Sequence, residues 1–158
     1  MGTLKEDIRA QATWIVRAFK SDRLKLDYTL NSFKEIDKFF DQHSKDGKAI
    51  PNGRLSENLG PIIFSIGSYV GETFIRLVPG TEWETDDSDP EGEVKVAIKF
   101  PRDGMCWPMQ KVMKRFMNGK EDSIYHYGVV MLKEMANIDP ASLTNNKTGG
   151  KKPWWKFW

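Results

Sequence analysis

The stretch from Leu59 to Val78 constrains the fold more than any other, because it is the most apolar segment of the chain and carries its own punctuation. It predicts a helix over about Ser56 to Val78. The Gly60-Pro61 pair predicts a late start or a kink, since an interior proline loses a backbone hydrogen bond and clashes with the preceding turn. Gly67 and Gly71 lie one turn apart and leave room for a neighbouring backbone. Ser65, Ser68, Tyr69, Glu72 and Arg76 share the other, polar side. The longest apolar run within it, Leu59 to Val70, falls short of the ~20 residues that a bilayer crossing needs. Gly60, Pro61, Ser65, Gly67 and Ser68 also interrupt it.

Two amphipathic helices precede this one. Leu4, Ile8, Ala12, Ile15 and Phe19 recur at helical spacing, with Val16 widening the stripe. Leu30, Phe33, Ile36 and Phe40 mark the buried face of the second, where Ser32 and Glu35 have the spacing of a capping box. Residues 43–54 read as a Gly-, Asn- and Pro-rich loop.

Beyond the apolar helix, residues 79–93 form an acidic connection with a short strand around Trp83. Val94, Val96, Ile98 and Phe100 then alternate with Lys95, Ala97 and Lys99, the pattern of a strand with one buried face. Pro101 ends it, Asp103-Gly104 turns the chain, and Met105–Trp107 return as a partner strand. Pro108 opens a helix with Met109, Val112, Met113 and Phe116 inside and Lys111, Lys114 and Arg115 on a solvated face. Gly119 stops it. A last helix starts at Asp122 or Ser123 and buries Ile124, Tyr127, Met131 and Met135. The expected class is α+β, about five helices packed with a small antiparallel sheet. Residues 1–140 form one compact domain, 141–153 a flexible linker, and 154–158 an aromatic C-terminal tail.

Three stretches carry a resemblance. "LDYTLNSFKEID", "IGSYVGE" and "PMQKVMKRFMNGKEDSIYHYG", in that order and with Trp83 between the last two, resemble a loosely defined group of small uncharacterised bacterial proteins. The shared motifs are a Gly-x-Tyr-x-Gly-Glu helix segment (Gly67, Tyr69, Gly71, Glu72) and an Asn-Gly-x-Glu-Asp-Ser turn (Asn118, Gly119, Glu121, Asp122, Ser123). The resemblance spans about residues 24–130. It implies a compact α+β domain with a role in bacterial interaction or defence systems, and it supplies no catalytic residues.

The chemistry-bearing residue types are sparse. Cys106 is the one cysteine, so no intramolecular disulfide forms, which together with an N-terminus lacking a signal pattern fits a reducing cytoplasm. His43 and His126 have neither zinc-ligand spacing nor a nucleophile beside them, and Cys106 between Met105 and Trp107 reads as an inert buried thiol. In an EF-hand register starting at Asp87, the position that needs a bidentate glutamate falls on Ile98, so the acidic run reads as a solvated loop. No metal, cofactor or enzymatic activity is expected. Tyr69, Glu72 and Arg76 allow two readings: a plain i, i+4 Glu–Arg pair, or a ligand-facing polar surface.

The tail is the most conspicuous feature. Lys151, Lys152, Trp154, Trp155, Lys156, Phe157 and Trp158 combine aromatic rings with positive charge, and residues 147–158 contain no acid. The rest of the chain is mildly acidic, which argues against specific nucleic-acid binding. Three sites could take the tail: a groove on its own domain, a groove on a protein partner, or an anionic membrane surface. The leading expectation is a non-enzymatic cytoplasmic binding protein, adaptor or immunity-like. The alternative is a peripheral membrane protein anchored by the tail.

Overall fold

The computed structural model describes residues 3–86, 88 and 96–143. Helix α1 (Leu4–Ser21) opens on a capping box: Thr3 Oγ1 accepts the Glu6 N–H at 3.2 Å and Glu6 Oε1 accepts the Thr3 N–H at 3.0 Å. Its inward stripe is the expected Leu4, Ile8, Ala12, Ile15 and Phe19.

A 3₁₀ turn over Leu30–Ser32 leads into α2 (Phe33–His43). The expected Ser32–Glu35 box does not form. Thr29 Oγ1 accepts the Ser32 N–H, and Glu35 Oε1 accepts the Lys25 N–H. Ser32 is buried, so its hydroxyl is satisfied inside, by the Thr29 carbonyl and by Tyr69 Oη, both at 2.6 Å. The loop after α2 contains a small antiparallel ribbon, β1 (Ser44–Lys45) with β2 (Lys48–Ala49). It turns on Asp46-Gly47, both at positive φ, the chemistry of a tight hairpin.

Helix α3 (Leu59–Leu77) begins after Asn58 at φ 61°, so Pro61 falls in its first turn and produces a late start rather than a kink. It packs most extensively on α1 and on α4 (Pro108–Asn118). Ser65, Ser68 and Tyr69, expected on a polar side, are fully buried.

Strands β3 (Glu82–Glu84), β4 (Ala97–Lys99) and β5 (Met105–Cys106) form an antiparallel sheet in that order, with Ile98 opposite both Trp83 and Cys106. Val94 and Lys95 lie outside the described residues. Val96, Ile98 and Phe100 are buried as expected, but Ala97 is buried too, so the sheet is covered on both faces at that point.

A 3₁₀ turn over Gly119–Asp122 connects α4 to α5 (Ile124–Ala136), which Ser123 caps. The buried seam of α5 is Ile124, Gly128 and Leu132, whereas Tyr127, Met131 and Met135 are half-buried. The seam is shifted because Gly128 admits Leu30 and Phe33: a Cβ there would stand 2.6 Å from Leu30 Cδ1. One hydrophobic cluster runs from Leu4 to Leu132. Among the described residues no helix is long and apolar enough to cross a membrane.

Candidate functional site

The polar residues singled out on α3 serve three separate contacts. Tyr69 is fully buried: its Oη accepts the Tyr28 N–H at 2.7 Å and meets Ser32 Oγ at 2.6 Å. Burial pushes its hydroxyl up to about 12. Glu72 Oε2 accepts the Trp83 Nε1–H at 2.8 Å. Arg76 lies on the Tyr28 ring, 3.5 Å from its centroid, a cation–π contact. Among the described residues Glu72 and Arg76 make no ion pair with each other, and none of the three lines either hollow described below. Tyr69 faces the core, not a ligand surface.

The two motifs behind the resemblance act as joints. A Cβ on Gly67 would stand 2.8 Å from Met109 Cα, so this glycine lets the start of α4 sit against α3. Gly71 admits the indole of Trp83 in the same way. In the turn after α4, Asp122 accepts from Asn118 at 2.7 Å and from Lys111 Nζ at 2.6 Å. Those hydrogen bonds hold the Asp122 carboxyl below its usual range. Ser123 Oγ donates to Asp37 Oδ2 at 2.9 Å, and Asp37 also accepts the N–H groups of Ile124 and Tyr125. Asp37 thereby places a carboxylate from α2 at the α5 N-terminus, where the unpaired amides and the dipole favour an anion.

Arg115, expected in solvent, is buried. Its Nε donates to Asp37 Oδ1 at 2.9 Å, and its Nη2 donates to the Asp37 carbonyl at 3.1 Å and to Asp41 Oδ1 at 2.9 Å. Those acceptors make burial tolerable for a guanidinium. Cys106 is a buried free thiol that burial pushes up to about 12.

The concave surface lies elsewhere, between α1, α3 and α4. A groove of about 850 Å³ is walled by Ala10 and Gln11 of α1, Pro61, Ile63 and Phe64 of α3, and Met109 and Met113 of α4. Asp7 of α1 and Lys114 of α4 bring opposite charges to the same groove. A second hollow of about 450 Å³ shares Ala10, Gln11 and Pro61 with the first and adds Trp14, Arg17 and Ile62. Trp14 is 45% exposed, unusual for so large an apolar side chain.

Local structure explains the depression. Asp7, Ala10, Trp14 and Arg17 lie three or four residues apart, a second stripe on α1 distinct from its core stripe. Gly60 and Pro61 keep the first turn of α3 low, and a Cβ on Gly60 would meet nothing within 4 Å. Gln11 is held in place by its Oε1, which accepts from Ser65 Oγ at 2.6 Å. The volume is that of a ligand-sized site, and the wall is predominantly apolar. Two methionines give it side chains that adapt to irregular apolar partners.

Met109 and Met113 read as core from sequence; Met109 is buried, Met113 half-buried, and both also face the groove. The sequence signal for this surface was Trp14, an aromatic residue out of phase with the α1 stripe. Lys151, Lys152, Trp154, Trp155, Lys156, Phe157 and Trp158 lie outside the described residues. Comparison with protein-family models, with curated proteins and with solved structures finds no match.

Proposed function

We propose that this chain is a non-enzymatic cytoplasmic binding protein, adaptor or immunity-like in character, whose α1–α3–α4 groove takes an apolar or aromatic segment of a protein partner. The observation that carries this reading is the apolar wall around Phe64, Met109 and Met113, continued by the exposed indole of Trp14. Each large apolar side chain seated there contributes roughly 1.5–3 kcal/mol. A few such anchors, less the cost of association, give weak to moderate affinity of the kind used in reversible recognition. Asp7 and Lys114 add orientation more than strength.

Peptide display against the immobilised chain tests this. The selected peptides should carry spaced aromatic or aliphatic anchors. Their affinity should fall at least tenfold in Ala10→Lys, which puts a long charged side chain into the groove from an exposed helix position. Selection of peptides indifferent to Ala10→Lys would remove the groove from the function. Co-sedimentation with anionic vesicles examines the other expectation, a peripheral membrane protein held by Trp154, Trp155, Phe157 and Trp158.

A further inference from the structure

We infer that the resident occupant of this groove is the chain's own Pro153–Trp158 segment, bound in cis, so that a protein partner must displace it. The inference rests on the groove reading above and names what fills the groove when no partner is present.

Composition matches first. The segment places four aromatic rings within five residues, and the groove offers Phe64, Pro61 and two methionine thioethers, which make favourable contacts with aromatic edges. The adjoining hollow around Trp14 gives the surface two lobes, and Lys156 divides the aromatic residues into two pairs. The charges that line the two hollows are mixed, Asp7 against Lys114 and Arg17, so Asp7 offers a contact to Lys151, Lys152 or Lys156 but charge does not select the segment.

Reach is sufficient. Leu143, packed on the core, precedes Pro153 by ten residues, a span of up to roughly 33–36 Å. A domain of this size has a radius of gyration of only ~14 Å, so most of its surface lies within that span. Tethering then decides between occupants. A segment on a short tether meets its site at an effective concentration of order mM. One that binds as a free peptide with a Kd of only ~100 μM would fill the groove in roughly nine chains out of ten at that concentration. Weak contacts suffice in cis, whereas a partner at cellular concentration needs a better fit.

The test uses a fluorescently labelled peptide of residues 151–158 and four full-length chains: wild type, the tail variant W154A/W155A/F157A/W158A, and the tail variant carrying A10K or M113Q. Circular dichroism confirms that each is folded. The tail variant should bind the peptide about tenfold or more tightly than wild type, because its groove is empty, and A10K and M113Q should each weaken that binding. Equal affinity for wild type and tail variant, no binding to the tail variant, or binding indifferent to both groove substitutions would each overturn the inference. A dimer in sedimentation equilibrium that is lost in the tail variant would assign the groove to a second copy's segment and overturn cis docking. Sedimentation with anionic vesicles that needs the aromatic residues and ignores A10K would assign the segment to lipid, with the same consequence. Display-selected peptides separate the two proposals. If they bind wild type and tail variant equally, the groove reading stands and only its cis occupant fails. If no apolar peptide binds the tail variant, both fail.

Discussion

Trp83 Nε1 donates to Glu72 Oε2 at 2.8 Å while its indole occupies the space over Gly71. One strand residue is thus seated in a notch of α3, with the notch made by a missing side chain and the orientation by the carboxylate beside it.

Gly71→Ala should therefore destabilise the fold by about 1–3 kcal/mol through overpacking, against the ~1 kcal/mol that alanine gains over glycine in a helix. Gly60→Ala, in the same helix with open space around it, should be neutral or stabilise by up to about 1 kcal/mol. Urea unfolding of both gives the comparison. Adding Trp83→Phe, which removes the ring edge facing Gly71, should recover part of the Gly71→Ala loss in a double-mutant cycle.

Asp37→Asn should cost about 3–5 kcal/mol, since it leaves the buried Arg115 without the more buried of its two carboxylate partners and removes the anion from the α5 N-terminus. Asp41 touches the same guanidinium, but its side chain is 43% exposed, so Asp41→Asn should cost under about 1 kcal/mol. Denaturant midpoints at neutral pH decide whether the two acids differ in this way.

His43 is held below its ordinary value, chiefly by burial, with Arg54 adding to the effect and Asp22 opposing it. Its Nδ1 accepts the Arg54 N–H at 3.3 Å, which requires an unprotonated nitrogen. The folded-state value is depressed, so this contribution is fully present above the unfolded value of about 6.5. It declines as pH falls from there through the folded value. The urea midpoint should drop over that window, and His43→Gln should flatten the slope.

Cys106 should resist alkylation in the native state, because its thiol is buried and raised to about 12. Iodoacetamide labelling followed by mass spectrometry should show no adduct under native conditions and full modification in guanidinium. Rapid native labelling would place the sulfur in solvent and contradict the packing of β5.

The helices were legible in the sequence because amphipathic period and end signals are local: the α1 stripe, Pro108 at the start of α4 and Gly119 after its end all stand where the residue pattern puts them. The Trp83 strand and the Met105–Cys106 return were legible for the same reason. Local pattern could not say which polar side chains turn inward. Tyr69 meets Ser32 across 37 residues, and Arg115 meets Asp37 across 78. A tyrosine or an arginine on a helix reads as surface until its distant acceptor is in place.

The groove was less legible still. Ala10, Phe64 and Met113 are unremarkable apolar residues on three separate helices, and a hollow between helices is a property of how they pack. By itself the sequence determined the α+β class, the order of the main helices and strands and an apolar interior, since those follow from periodicity and turn chemistry along the chain. Only tertiary structure decided which polar groups are buried and where an apolar surface stays open, because both depend on what residues far apart in the chain bring to the same place.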